Sequence, residues 1–259
     1  MAGSCVLITG GGSGIARAVA LAVAADGASV AILDRDAESA VRVAEQARLA
    51  GAPAALGLQC DVSDEAAIDT AIAATTAELG VPQQLFAGAG IDRGGPAHEL
   101  AAGTWRDVLA VNLTGAFLVT RAVLRELVAA SLPGSLVLCS SPAATVGFAA
   151  GAVSAYSASK GGIEALVRAL AVEYAGHGIR VNAVVPGPTE TPLMWANVPA
   201  ADRERMRATI RAEVPLGRLA DPSEPAAAVC WLLGAQSSFV TGTSLVCDGG
   251  VLSKASISV

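Results

Sequence analysis

Aromatic side chains make up only 3% of this chain, with two Tyr, three Trp and four Phe. A core of the size 259 residues can bury must therefore be assembled from many small aliphatic side chains, which favours helices packed closely on a sheet. Charge is also sparse, at 15% of residues, and the balance is a formal −6. No basic face is available for tracking phosphates, so nucleic acid is not expected as a partner. The two histidines, His98 and His177, have no ligand-like companions. The five cysteines (Cys5, Cys60, Cys139, Cys230, Cys247) are scattered and never spaced C-x-x-C. Neither a metal site nor a disulfide framework is expected. Between Met1 and the β-like run Cys5-Val6-Leu7-Ile8 there is no room for a secretion signal, and a cytoplasmic protein is expected. From Leu127 to Ser159 no residue is charged, a length that could span a membrane. Pro133, Gly134, Ser140, Ser141 and Pro142 interrupt it, so a helix end, a buried strand and a loop are expected instead, and no membrane partner.

Short aliphatic runs alternate with longer helical stretches. Strands are predicted at Cys5 to Thr9, Ser29 to Asp34, Ala54 to Cys60, Gln84 to Gly88, Ser135 to Ser140, Ile179 to Val185 and Gly242 to Val246. Helices are predicted from Gly14 to Asp26, Ala37 to Ala50, Asp64 to Leu79 and Ser154 to Gly176, with one long helix from Thr104 to Ala130. Such alternation requires right-handed crossovers and a mostly parallel sheet covered on both faces: an α/β, Rossmann-like doubly wound architecture in a single domain over 1–259. The Pro-rich stretch from Pro186 to about Pro215 is predicted to form a partly helical flap over the carboxyl edge of the sheet, where ligands bind in such folds.

The first strand runs into Thr9-Gly10-Gly11-Gly12-Ser13-Gly14-Ile15-Ala16 and then a helix. Glycines there let the backbone approach a pyrophosphate, whose charge the helix N-terminus favours. The spacing is G-x-x-x-G-x-A rather than G-x-G-x-x-G, and alone it also suits a plain flexible turn. Asp34, about twenty residues on, ends the second strand where a carboxylate can accept hydrogen bonds from ribose hydroxyls and would repel a 2′-phosphate. Arg35 is a possible phosphate partner, but Ser13 supplies no second cation, so NAD is favoured over NADP. Asp61 and Val62, after the third strand, face either the adenine or, for Asp61, a helix N-terminus as its cap.

Tyr156 and Lys160 are spaced i, i+4 and share one helix face beside a strand ending in Ser140-Ser141. An ammonium near a phenol lowers its pKa and suits it to general acid–base work, and a serine hydroxyl aimed at the same oxygen would steady a carbonyl or alkoxide.

Together, T-G-x-x-x-G-I-A, Asp34, Asn112-Leu113-Thr114-Gly115, Ser141, Tyr156-x-x-x-Lys160, Pro186-Gly187 and Asp248-Gly249-Gly250 resemble the short-chain dehydrogenase/reductase family over nearly the whole chain. The resemblance implies a proton donor and acceptor at Tyr156, with Lys160 tuning it and orienting the nicotinamide ribose. Ser141 would bind the substrate oxygen, and Asn112 would hold a water in the proton relay. It also implies cofactor contacts at Gly90, at Val185 to Gly187 including Pro186, and at Thr189 and Thr191, and assembly as a homotetramer through the two longest helices. Three departures stand out: Ala16 replaces a glycine, Gly88 replaces an asparagine, and Ser141 precedes Tyr156 by about two residues more than usual, which keeps Ser140 as an alternative. Phe148, Leu193, Met194, Trp195 and Val198 either line an apolar substrate wall or pack the flap down, whereas Arg203, Arg205, Arg207 and Arg211 suit a solvated helix face. The expected activity is NAD-linked interconversion of a small secondary alcohol and a ketone. The alternatives are a 3-oxoacyl-carrier-protein-type reductase and a catalytically silent dinucleotide-binding protein.

Overall fold

The computed structural model describes residues 1–148 and 152–254. Its sheet has seven strands: β1 (Cys5–Thr9), β2 (Ser29–Asp34), β3 (Ala55–Gln59), β4 (Gln84–Ala87), β5 (Gly134–Cys139), β6 (Ile179–Pro186) and β7 (Ser244–Cys247). All pair in parallel, in the order β3-β2-β1-β4-β5-β6-β7. The helices are α1 (Gly14–Ala25), α2 (Ala37–Ala50), α3 (Glu65–Leu79), α4 (Ala102–Leu109), α5 (Ala116–Ala130), α6 (Ser154–Tyr174), α7 (Arg203–Glu213) and α8 (Ser223–Leu233).

The strands are apolar on both faces because both faces are covered. In β1, Val6 and Ile8 pack into a core with α1, α2 and α8, whereas Leu7 points into the opposite core with α3, α5 and α6. The buried stripe of α1, Ala16, Val19, Ala20, Val23 and Ala24, recurs at helical spacing and is mostly small, which lets the helix lie close to the sheet. Outward winding from β1 to β3 and return to β4 put the order reversal between β1 and β4, and the cleft opens there at the carboxyl ends of the strands.

The expected helix from Thr104 to Ala130 is instead α4 and α5 joined by a π-helical turn, Ala110–Gly115, that carries Asn112. Its length and apolarity would suffice to cross a membrane, but half of its most apolar window is buried inside the protein. Helix α8 was not expected from the sequence; its apolar residues Ala226, Val229, Leu232 and Leu233 cover the α1 side of the sheet. The cap of α3 is Asp64, which accepts from Ala66 and Ala67 N–H at 2.9 and 3.3 Å; Asp61 instead accepts from Ser63.

Candidate active site

The carboxyl ends of β1 to β5, with the loops that follow them and the flap after β6, line the cleft, which has a volume of about 620 Å³. At its open end the β1–α1 loop contributes Gly10, Gly12, Ser13, Gly14 and Ile15, β2 ends in Asp34 and Arg35, and Asp61 and Val62 follow β3. The loop is shaped to receive a ligand rather than a side chain. A Cβ on Gly12 would lie 2.8 Å from Asp34 Oδ2, and Gly10 and Gly14 have φ of +68° and +55°. Gly12 N–H donates to Asp34 Oδ2 at 2.9 Å and Asp36 N–H to Oδ1 at 3.0 Å, so the carboxylate is fixed in place against the glycines. Ser13, the N-cap of α1, makes no side-chain capping bond, unlike Asp36 and Asp64 on α2 and α3. The first-turn N–H groups of α1 thus remain available to an anion such as a pyrophosphate, and the cradle fits a dinucleotide.

At the other end the cleft wall is formed by Gly90, Ile91, Asp92, Cys139 and the flap residues Thr191, Pro192, Leu193, Ala196 and Asn197. Ser141, Tyr156 and Lys160 gather behind it. Buried Lys160 donates from Nζ to Cys139 O at 2.7 Å and lies 5.5 Å from the centre of the Tyr156 ring. An ammonium has three donors, so two of its N–H groups have no partner among the described residues. A Cβ on Gly90 would stand 3.8 Å from the same Nζ, so Gly90 on the cleft wall is a direct neighbour of the ammonium.

The pKa balance differs from the expectation that Lys160 lowers the phenol. Burial pushes Tyr156 well above the ordinary tyrosine range, the charges of Cys139 and Asp92 push the same way, and the nearby Ser141 hydroxyl opposes them. Burial also lowers Lys160, with Cys139 acting against it. The sequence shows one cation one helical turn away, but the fold engages that cation with a carbonyl and removes water from both groups.

The side chain of Asn112 is fully engaged within the protein. Its Oδ1 accepts from Ile91 N–H at 2.8 Å, while Nδ2 donates to Ile91 O at 2.8 Å and to Ser159 Oγ at 3.2 Å. With its side chain so engaged, Asn112 ties the β4 loop to α6. Ser159 Oγ in turn donates to Tyr156 O at 2.6 Å. Ser159 was missed by the sequence reading, although it sits inside Tyr156-x-x-x-Lys160 on the buried side of α6.

Ser141 caps a short 3₁₀ turn, its Oγ accepting from Ala143 N–H at 3.3 Å, and it stands close enough to the phenol to favour the ionised form. Ser140 points elsewhere, with a buried Oγ that has no partner among the described residues. Pro186, Gly187 and Thr189 lie behind Thr191 rather than on the cleft wall. There Gly187 allows a close approach, since a Cβ would stand 2.5 Å from Asp248 Cα. Asp248 accepts from Gly250 and Leu252 N–H at 2.8 and 2.7 Å, so the Asp248-Gly249-Gly250 run braces this turn. Of the apolar flap residues, Leu193 reaches the cleft. Trp195 is instead buried in a separate cluster with Ile210, Val214 and Leu219, against which Met194 packs. The reason is a polar anchor, because Trp195 Nε1 donates to Glu190 Oε2 at 2.9 Å and Arg207 covers its ring at 4.8 Å. Phe148 is exposed.

Comparison with known proteins extends over the same span. The family described as enoyl-(acyl carrier protein) reductase matches residues 10–252. A cis-4-hydroxycyclohexanecarboxylate dehydrogenase from Sinomonas cyclohexanicum is 43% identical over 245 residues, 94% of each chain. A galactitol 2-dehydrogenase (L-tagatose-forming) from Cereibacter sphaeroides is 39% identical over 248 residues, 96% of this chain and 94% of the relative. The crystal structure of a short-chain type dehydrogenase/reductase from Mycobacterium marinum superposes with a TM-score of 0.91 at 32% identity, covering 96% of both chains.

Proposed function

The chain belongs to the short-chain dehydrogenase/reductase family, and from that premise we propose that it is an NAD-dependent enzyme interconverting a secondary alcohol and a ketone. One arrangement carries the reading: a phenol beside Ser141 and an incompletely paired ammonium, packed behind one end of a cleft whose other end is a glycine loop and a fixed carboxylate.

Bound along this cleft, NAD would supply the ring that takes or returns the hydride and, when oxidised, a positive charge. Tyr156 Oη gives its proton to the carbonyl oxygen in reduction and takes the alcohol proton in oxidation. A phenol kept neutral by burial is a ready donor, and the Ser141 hydroxyl favours the phenolate needed in the other direction. Ser141 also binds the reacting oxygen, and the two unpaired donors of Lys160 orient the ribose hydroxyls. Asn112 and Ser159 are positioning residues, holding the Ile91 loop and the Tyr156 turn of α6 in register. Asp34 supports NAD over NADP, because a carboxylate fixed at the end of β2 repels a 2′-phosphate. Contacts from Gly10 to Ile15 and from Thr191 complete the cofactor site in this reading.

The names of the two relatives, a hydroxycyclohexanecarboxylate and a galactitol dehydrogenase, both describe oxidation of a carbinol. An acyl-carrier substrate is less well supported, since Arg93 on the cleft wall is bonded to Asp107 at 2.9 Å rather than free for a phosphopantetheine. Exposed Phe117 and Val128 on α5 and Val172 on α6 support self-association through these helices, for which we favour a tetramer. A cytoplasmic setting belongs to the same reading, because turnover draws on the cell's NAD pool. The test is a panel of secondary alcohols, free ketones and 3-oxoacyl thioesters with NAD(H) and NADP(H), followed by nicotinamide absorbance. NAD-linked turnover of alcohols and free ketones is expected; turnover of thioesters alone, or none at all, would refute the proposal.

A further inference from the structure

Asp92 follows β4 on the cleft wall, near enough to Tyr156 for its charge to act on the phenol. Its Oδ1 is buried and has no hydrogen-bond partner among the described residues. A carboxylate oxygen in that state is expensive, and buried acceptors of this kind are normally paired. The nearby cations do not serve it. Arg93 is bonded to Asp107, and Lys160 donates to Cys139 O. The residue itself is held firmly, because its main-chain carbonyl accepts from Asn197 Nδ2 of the flap at 2.9 Å. Burial raises its carboxyl above the ordinary aspartate range, as expected for an acid without a partner. The loop is thus fixed while one carboxylate oxygen of a cleft-wall residue is left unpaired.

We propose that Asp92 selects the substrate: its carboxylate accepts a hydrogen bond from a second hydroxyl of a neutral diol or polyol whose adjacent carbinol faces Tyr156. The inference rests on the oxidoreductase reading of the cleft and adds the class of alcohol to it. The same charge disfavours a carboxylate or phosphate at that position, because the adjacent Arg93 guanidinium is already taken up by Asp107. A hydroxy acid or sugar phosphate therefore binds less well here than a neutral polyol.

The test compares kcat/KM for cis-1,2-cyclohexanediol, cyclohexanol and cis-2-hydroxycyclohexanecarboxylate in the parent, Asp92→Asn and Asp92→Ala enzymes with NAD. The parent prefers the diol to both other substrates. Asp92→Ala lowers the diol-to-cyclohexanol ratio by roughly 10- to 100-fold, the range for losing a hydrogen bond to a charged group. Asp92→Asn, nearly isosteric, lowers it less because an amide oxygen still accepts, and it raises the hydroxycarboxylate relative to the diol. A residue that merely shaped the loop would lower all three substrates together and leave the ratios unchanged, which would overturn the inference. A parent enzyme that favours cyclohexanol or the hydroxycarboxylate over the diol would overturn it while leaving the hydride-transfer reading intact. Absence of NAD reduction with every substrate would remove both.

Discussion

Replacing Gly88 by asparagine, the residue usual in the family at this position, is expected to destabilise this chain. A Cβ on Gly88 would lie 2.7 Å from Phe86 Cε1, 3.0 Å from Thr9 O and 3.1 Å from Ala16 Cβ. The first neighbour is a fully buried ring in the α1-side core, the second is main chain at the end of β1, and the third is the methyl that replaces a glycine in the loop motif. Phe86 and Ala16 together occupy the space an asparagine side chain would take. Overpacking of this kind costs about 1–3 kcal/mol. For a chain of this size each kcal/mol moves Tm by about 2–4 °C, so a fall of roughly 2–12 °C follows. The assay is urea and thermal unfolding of the parent, Gly88→Asn, Phe86→Val and the double variant, followed by tryptophan fluorescence and circular dichroism. Because the side chains collide directly, trimming Phe86 relieves part of the strain, and the cycle gives a favourable coupling of about 1 kcal/mol or more. A Gly88→Asn protein as stable as the parent, or strictly additive variants, would refute the packing argument.

Three further outcomes follow from the site. Ser141→Ala lowers kcat by roughly 100- to 1000-fold, as loss of a donor to the reacting oxygen does, whereas Ser140→Ala stays within about threefold of the parent; equal losses in steady-state assays would reassign the serine. Asp34→Ser raises KM for NAD by about tenfold and shifts the kcat/KM ratio toward NADP, since it removes both the repulsive charge and the bonds to Gly12 and Asp36; an unchanged ratio would contradict the role given to Asp34. Arg207→Ala releases Glu190 and the Trp195 ring, raising substrate KM severalfold with little change in kcat. The Arg207 hydrogen bond holds Glu190 below the ordinary glutamate range, so the latch is intact above that range and is lost as pH falls through the lowered value. Parent KM should therefore stay flat from neutral pH down to the ordinary glutamate range and climb only below it; a rise already near neutrality would exclude Glu190 as the titrating group.

The doubly wound sheet was legible because both of its signals are local. Strands buried on two faces read as unbroken aliphatic runs, and the glycine loop and Asp34 fall at strand ends that the runs themselves mark. The π turn at Ala110–Gly115 was not legible, since one extra residue in a helical turn leaves the apolar spacing on either side almost unchanged. Helix α8 did leave a signal, Ala226, Val229, Leu232 and Leu233 at helical spacing after Asp221-Pro222, but Pro225 in its first turn masks it. For the site, residue types and spacing placed Tyr156, Lys160 and Ser141 on neighbouring elements. They carried no information on burial, which here outweighs the neighbouring cation in setting the phenol. Trp195 shows a similar limit: an apolar residue in a flap is visible in sequence, but which side of the flap it faces is decided by Glu190 and Arg207, contacts made after folding.

The most direct test of the account is Tyr156→Phe, which removes one oxygen and keeps the ring in place. NAD reduction driven by a secondary alcohol should fall by roughly a thousandfold, within the range for losing a general acid–base, while NADH affinity measured by fluorescence titration stays within about threefold of the parent. Turnover within tenfold of the parent would contradict the assignment of the proton to this phenol, as would loss of NADH binding along with turnover.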